Sequence, residues 1–195
     1  MAKRDINEDI VRFSLVNLTD GYRLKDFKCS IIEYQEFLIE HALNFQNMNI
    51  SRTYLLIDKS SADIVAYMSL VSDSIRLNDT EREEQFPEYI RFGSFPSIKI
   101  GKLAVDEGYR DVYRGIGSLM IELARGIDAE VNESVACEFI TVDADVENDR
   151  HLLDFYLKNS FVLNESYPHG ATRKQISMRM NIFNEVDDEA QEETA

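Results

Sequence analysis

Runs of apolar residues with a period of two, and short runs that are apolar throughout, predict the strands of this chain. They fall at residues 10–18, 53–57, 64–71, 98–105, 138–144, 161–163 and 175–182. A polar turn at 58–63 joins the second strand to the third and indicates a hairpin. Gly101 interrupts the alternation of the fourth strand, which indicates a β-bulge or a close backbone approach there.

Segments with apolar positions at helical spacing lie between these strands. Ser30 and Glu33 have the spacing of a capping box, and the apolar stripe behind them predicts a helix that continues to about Met48. Further helices are predicted at 80–86, 117–129 and 152–159. This order of strands and helices predicts a mixed α/β domain built on one central sheet.

The length of 195 residues and the 44% hydrophobic content suit one folded domain and exclude global disorder. We expect that domain at 1–183 and an acidic disordered tail at 184–195, where six acids occur without an apolar period. No apolar run approaches the ~18 residues of a membrane span. The N-terminus turns acidic where a signal peptide would be apolar. We therefore expect a cytoplasmic protein that does not engage a membrane.

Charge and cysteine content exclude several classes of site. The net charge is −15 at pH 7, and it is still −9 without the six acids of the tail. A protein that binds nucleic acid mainly through phosphates needs a basic surface, so this composition argues against nucleic acid as a partner without excluding tRNA. Cys29 and Cys137 lie far apart and have no C-x-x-C partner, so we expect neither a disulfide framework nor a metal site.

The segment from Lys102 to Gly117 carries the clearest candidate chemistry. A predicted strand ends at Val105, a loop with two arginines and two glycines follows, and a predicted helix begins immediately afterwards. Glycines allow a ligand to approach the backbone, and the first N–H groups of a helix attract anions. Arginines in such a loop suit a phosphate or a pyrophosphate. The alternative is a tight turn between a strand and a helix.

Four sequence blocks between residues 98 and 163 resemble the GNAT superfamily of N-acetyltransferases: KIGKLAVDEGYR, RGIGSLMIELA, FITVDADVEN and FYLKNSF. Two earlier blocks, FKCSIIEYQEFLIEHAL and SRTYLLIDKSSADIVAYMSL, resemble the branch with toxins of toxin–antitoxin pairs that acetylate aminoacyl-tRNA. The resemblance implies a GNAT fold with a single mixed sheet flanked by helices. It also implies that acetyl-CoA binds in a V-shaped opening between the strands that end at Val105 and Ala144.

The resemblance assigns roles to particular residues. Tyr156 would act as the general acid that protonates the departing CoA thiolate, and the backbone N–H of Val105 would stabilise the oxyanion. The residues implied to contact the cofactor are Leu103, Ala104, Val105, Arg110, Arg114, Gly115, Ile116, Gly117, Ser118, Asn148, Asp149 and Tyr156. A core position is the alternative for Tyr156. Asp143 and Asp145 either hold a water as the base or cap the following loop.

The chain departs from the pattern of the superfamily at several positions. Val112 stands where the loop usually has Gln or Arg, and the stretch from Val105 to Gly115 is about two residues longer than usual. Asp149 occupies a position where Asn is common, and Ser160 replaces a usual Gly. The longer loop and Val112 motivate one alternative, a GNAT-like binding module without catalysis.

The main functional hypothesis is an N-acetyltransferase that moves the acetyl group of acetyl-CoA to a primary amine in a ternary complex. A small-molecule or protein amine suits the acidic composition best. The first alternative is a toxin-type acetyltransferase that acts on aminoacyl-tRNA and has a small antitoxin as a protein partner. The second is the non-catalytic module, and a homodimer remains open under each hypothesis.

Overall fold

The computed structural model describes residues 3–86, 88, 90–147, 149–165 and 175–183, and the predicted tail at 184–195 lies outside them. The described residues contain nine strands, which we number in chain order. They are β1 Arg4–Asp5, β2 Phe13–Asn17, β3 Arg52–Asp58, β4 Ile64–Arg76, β5 Ser94–Val105, β6 Tyr113–Arg114, β7 Phe139–Ala144, β8 Val162–Leu163 and β9 Ile176–Asn181.

Helices connect most of these strands. The described α-helices are α1 Ile32–Glu36, α2 Ala42–Asn47, α3 Asp79–Gln85, α4 Glu107–Val112, α5 Ile116–Asn132 and α6 Leu152–Lys158. A π-helical turn at Phe37–His41 joins α1 to α2, and 3₁₀ helices occupy Ile6–Arg12 and Leu24–Asp26. The helix predicted from residue 30 to about 48 is therefore present, with a π-helical turn at its centre.

Seven of the described strands form one mixed sheet in the order β2-β3-β4-β5-β7-β9-β8. The β5–β7 pair is parallel and the other neighbours are antiparallel, while β1 and β6 form a separate parallel ribbon. One face packs against α5 and α6 through Met120 and Tyr156. The opposite face packs against α1, the π-helical turn and α2, where Leu38 and Tyr67 are fully buried. This architecture confirms the predicted mixed α/β domain on a single sheet.

The first predicted strand begins later than expected. Residues 10–12 belong to the 3₁₀ helix, and β2 starts at Phe13. Asp5 caps that helix by accepting a hydrogen bond from the Asn7 N–H, and Ile6 is fully buried beneath it. Val11 is 80% exposed, so the apolar run was not a buried strand over its whole length.

The predicted capping box of Ser30 and Glu33 is wrong. The first helix begins at Ile32 without a side-chain cap, and Glu33 instead accepts a hydrogen bond from the ammonium group of Lys102. A long-range ion pair has replaced the local contact that the spacing suggested. A capping box does form at α3, where Asn78 and Glu81 exchange both hydrogen bonds.

The bulge predicted at Gly101 is confirmed. Ser69 of β4 pairs with Lys102, whereas the next residue of β4 pairs with Ile100, so Gly101 is the extra residue on β5. The extra residue shifts the alternation of side chains along β5. As a result Lys99 and Lys102 both lie on the face that carries α1, although their spacing in a regular strand would place them on opposite faces.

Asp128 of α5 is an ionisable residue that is buried in the core. Its side chain is fully buried, and no nitrogen or hydroxyl of the described residues donates to its carboxylate. Burial raises the pKa of Asp128, while a hydrogen bond with the thiol of Cys137 acts in the opposite direction. The folded state therefore favours the protonated acid. This contribution to stability is present at low pH and is lost as the pH rises through the raised pKa.

We expect Asp128→Asn to raise the melting temperature at pH 7, because the amide removes the buried charge. A gain of about 2–4 °C corresponds to ~1 kcal/mol in a chain of this size. Thermal denaturation from pH 4 to pH 8 measures the effect, and the difference from wild type should shrink as the pH falls. A constant difference across that range would contradict the assignment of a buried ionisable carboxylate.

Candidate functional site

A cleft opens where β5 and β7 separate. The two strands pair only from Ser97 to Ile100 on β5, opposite residues 139–142 of β7. Beyond that point β5 continues to Val105 beside β4, and β7 continues to Ala144 beside β9. The separation leaves a cleft of about 290 Å³. This is the V-shaped opening, between the two strand ends, that the resemblance implied.

The cleft brings together about half of the residues predicted to bind the cofactor. Those that line it are Leu103, Ala104, Val105, Arg110, Gly117, Asp149 and Tyr156. Of the others, Arg114 and Gly115 lie just before α5, Ile116 and Ser118 belong to that helix, and Asn148 lies outside the described residues. Ile116 is buried in the core under α5, and Ser118 is half-buried on the same helix.

Gly115 shapes the entrance to α5. It precedes the first helical residue with a φ of +83°, a left-handed conformation in which a side chain would be strained. Its neighbour Arg114 pairs with Asp5 of β1, with 3.4 Å between Nε and Oδ2. The ion pair and the β1–β6 ribbon join the N-terminal segment to the candidate phosphate loop.

The lengthened loop after Val105 contains the short helix α4, which the sequence analysis did not predict. Asp106 caps this helix by accepting hydrogen bonds from the N–H groups of Gly108 and Tyr109 at 2.9 and 3.4 Å. The same carboxylate accepts from the N–H of Lys28, which ties α4 to the segment before α1. The sequence did contain a signal for this helix. Asp106 is a preferred residue type for an N-cap, and the four residues after it include no proline. The helix carries Arg110 to the cleft.

A buried carboxylate anchors the other side of α4. Asp58, at the end of β3, is fully buried and accepts hydrogen bonds from the Arg12 guanidinium and the Tyr109 hydroxyl. The hydrogen bond from Arg12 holds the pKa of Asp58 far below its usual range, and Ser60 adds two further hydrogen bonds. Asp58 therefore stays ionised and fixes α4 against the β3–β4 hairpin.

Tyr156 of α6 lies in the wall of the cleft and is only 7% exposed. Its ring packs edge-on against Phe155 and Phe161, with centroids 5.0 and 5.2 Å away. Burial raises the pKa of Tyr156, and the nearby Tyr34 adds to the effect. The hydroxyl is therefore protonated at neutral pH. Tyr156 is a core residue that also lines the cleft, and its role as the general acid stays a prediction.

The wall opposite α6 was missed as a functional surface by the sequence analysis. It consists of Cys29, Ser30, Ile31 and Tyr34, which lie before and within α1. The sequence placed Tyr34 only in an apolar stripe. The ring of Tyr34 lies under the ammonium group of Lys102, 4.3 Å from its centroid.

Two carboxylates complete the lining at the end of β7. Asp143 pairs with Lys99 at 2.5 Å, and Lys99 also lies 3.8 Å from Asp73. Asp145 follows the strand, and its backbone carbonyl accepts from the N–H of Asp149. The strand end therefore starts a turn and also places two acids in the cleft.

Two kinds of feature are absent from the described part of the chain. No group of three or more His, Cys, Asp or Glu side chains there has the arrangement of a metal site. No helix among those residues is long and apolar enough to cross a membrane.

No protein-family model matches the chain, and no curated protein matches it in sequence. Solved structures of bacterial toxins match it in fold. A tyrosine-to-phenylalanine mutant of KacT superposes with a TM-score of 0.70 at 17% identity, covering 88% of this chain and 95% of its own. A tyrosine-to-phenylalanine mutant of AtaT, bound to the C-terminus of the antitoxin AtaR and to acetyl-CoA, gives 0.67 at 18% identity, covering 88% and 94%.

A third match is AtaT complexed with acetyl-methionyl-tRNAfMet, with a TM-score of 0.67 at 20% identity over 87% of this chain and 94% of that one. These likenesses span nearly the whole of each chain. At such identities they establish the fold, which is the GNAT-like fold of the toxin structures. The fold implied by the resemblance is thereby confirmed. The roles of the individual site residues remain predictions.

Gly117 and Gly126 of α5 differ in the space available to a side chain. A Cβ at Gly117 would lie 3.0 Å from Cζ of Phe155, whereas a Cβ at Gly126 would have no atom within 4 Å. We expect Gly126→Ala to stabilise the protein by about 0.5–1 kcal/mol, because alanine favours a helix. We expect Gly117→Ala to lower the melting temperature, because it overpacks the Phe155 ring. Equal stabilisation by both substitutions in thermal denaturation would refute this packing constraint.

Asp5 is expected to oppose anion binding at the Arg114–Gly115 loop. In Asp5→Asn the oxygen that caps the 3₁₀ helix is kept and the charge is removed. Acetyl-CoA should then bind roughly fivefold more tightly at low salt. This change corresponds to the ~1 kcal/mol by which two like unit charges repel each other at short range in water. Calorimetric titration measures this, and added salt should reduce the difference. Glu8→Gln is the control, because it removes an exposed charge from the same helix. An equal effect of both variants would refute a specific role for Asp5.

Proposed function

We propose that this protein is a toxin-type acetyltransferase that moves the acetyl group of acetyl-CoA to the amine of an aminoacyl-tRNA. The observation that carries the proposal is the position of Tyr156 in the cleft between the separated ends of β5 and β7. The same fold occurs in AtaT bound to acetyl-CoA and in AtaT complexed with acetyl-methionyl-tRNAfMet. These neighbours favour the aminoacyl-tRNA alternative over the small-molecule or protein amine.

The residues around the cleft fit acetyl-CoA. In the described chain β5 has no ladder partner on the β7 side beyond Ile100, so the backbone of residues 103–105 is available to the pantetheine arm. The N-terminus of α5 follows Gly115, and the seventeen-residue helix directs its first N–H groups toward a phosphate. Arg110 at the cleft supplies a cation for the pyrophosphate.

The chemistry proposed for the cleft needs one oxyanion donor and one proton donor. The amine attacks the thioester carbonyl, and the N–H of Val105 stabilises the negative charge that develops on its oxygen. Tyr156 then gives its proton to the sulfur as the C–S bond breaks, and the proton lost by the attacking nitrogen reprotonates the tyrosinate through water, which leaves the amide and free CoA thiol. An ordinary tyrosine has a pKa of about 10 and a thiol one of ~8.5. Burial raises the pKa of the departing thiol as well as that of the tyrosine, because it destabilises both anions. The buried tyrosine can therefore still protonate the sulfur.

A small-molecule or protein amine is the second candidate acceptor, and the charge of the chain favours it. The net charge of −15 gives phosphates little general attraction. An acidic surface attracts polyamines and basic proteins instead. Transfer of radiolabelled acetyl from acetyl-CoA to individually charged tRNAs, compared with a panel of amines, separates the two candidates. If only the amines were labelled, the acetyltransferase activity would be supported and the proposed tRNA acceptor would be wrong.

A small antitoxin is the protein partner that we propose. It is supported by structures of AtaT with the C-terminus of AtaR and of the KacTA–DNA complex. To test this partner, the protein encoded by the adjacent gene is added to the same transfer assay, and its inhibition of acetyl transfer is measured. The non-catalytic module is tested by titration with acetyl-CoA, since absence of binding at millimolar concentration would support it.

We expect Tyr156→Phe to lower the turnover number at least ~10²-fold, because the general acid is lost. The affinity for acetyl-CoA should hardly change, since the ring and its packing remain. Calorimetry and single-turnover kinetics measure the two quantities separately. Tyr22→Phe is a matched control, because Tyr22 does not line the cleft. Unchanged turnover in the Tyr156 variant would remove this residue from the mechanism.

A further inference from the structure

The cleft has two different ends. Tyr156 and Gly117 belong to the face of the sheet that carries α5 and α6, where the candidate phosphate loop lies. Ile31 and Tyr34 belong to the opposite side, on the face that carries α1. A cofactor whose phosphates lie at the start of α5 fills the first end. The acceptor must therefore approach the thioester from the end at which Tyr34 lies.

Tyr34 is held in place by two direct contacts, and the second is supported by an ion pair. Its backbone carbonyl accepts a hydrogen bond from the hydroxyl of Tyr67 at 2.7 Å. Its ring lies under the ammonium group of Lys102, and that ammonium group pairs with Glu33 at 2.5 Å. Lys102 reaches this face because of the bulge at Gly101. The first contact ties the backbone of Tyr34 to β4, and the second ties its ring to β5, so the ring cannot leave the cleft without losing its contact with Lys102.

The cleft that Tyr34 and Tyr156 line is small. The cleft of about 290 Å³ lies at the lower end of the ~300–1,000 Å³ typical of ligand sites. It has to hold the acetylated end of the cofactor together with the amine. Tyr34 and Tyr156 line this cleft from opposite faces of the sheet, so an acceptor that reaches the thioester has to pass the Tyr34 ring.

We propose that Tyr34 is a steric gate that restricts the acceptor to amines on small groups, of which the glycyl ester of tRNA is the smallest. The inference rests on the proposed function, because it concerns the acceptor of that reaction. The ring excludes side chains that branch or extend from the carbon bearing the amine. Rejection by such a wall is worth about 10-fold or more for each added methylene.

The test compares acetylation of glycyl-, alanyl-, methionyl- and phenylalanyl-tRNA by the full chain. The wild type should acetylate glycyl-tRNA with the highest kcat/KM and methionyl-tRNA at least ~10-fold less well. Tyr34→Ala should reduce that ratio at least tenfold by raising the rate with methionyl-tRNA. Tyr34→Phe keeps the ring, so it should retain the wild-type ratio. Tyr34→Leu serves as the truncated variant if the alanine variant does not fold, with thermal denaturation as the check.

Two results would overturn the gate. One is a wild-type enzyme that acetylates methionyl-tRNA as well as glycyl-tRNA. The other is a folded truncated variant, with wild-type affinity for acetyl-CoA, whose ratio is unchanged. Glycinamide and methioninamide are run in parallel as acceptors without tRNA. Selectivity for glycinamide that depends on Tyr34, without transfer to any charged tRNA, would support the gate and overturn only the tRNA acceptor. Transfer to neither set would overturn both.

Discussion

The separation of two parallel strands is the constraint on which the rest of this structure depends. The ladder between β5 and β7 ends at Ile100, after which each strand continues beside a different neighbour. The opening removes hydrogen bonds that a regular sheet would make, so the backbone on both sides needs other partners. Helices on both faces hold the strands apart, with Tyr156 buried on one side and Tyr34 packed on the other. The cleft is a gap in the sheet, and its walls are core residues.

Charged groups fix the loops around that gap. The ionised Asp58 binds Arg12 and Tyr109 and so joins the N-terminal 3₁₀ helix, the hairpin and α4. Asp106 adds a second attachment between α4 and the segment before α1. A buried carboxylate of this kind is costly unless it is fully hydrogen-bonded, and that of Asp58 receives hydrogen bonds on both oxygens. The result is a rigid loop of unusual length that still carries Arg110 to the cleft.

The acidic composition is unfavourable for the tRNA acceptor that we propose. Composition describes the average surface, whereas an acceptor meets only the few residues at the mouth of the cleft. Lys102 and Asp143 line the cleft and pair with Glu33 and Lys99, so this region combines both signs of charge. A nucleic acid partner of an acidic chain would depend on such local groups and on shape more than on net charge.

The sequence alone determined the order of the seven strands of the main sheet and of the helices between them other than α4, and it indicated the bulge at Gly101 and the loop before α5. Periodicity and glycine placement are local properties of the backbone, which is why they could be predicted. Its resemblance to known acetyltransferases also indicated which strands would part. Tertiary structure decided which partner each polar side chain takes. The Glu33 carboxylate binds the ammonium group of Lys102 and does not cap the N-terminus of its own helix, and Tyr34 lies in the wall of the cleft. Such contacts join residues far apart in the chain, and their geometry depends on a bulge whose effect appears only after the sheet has formed.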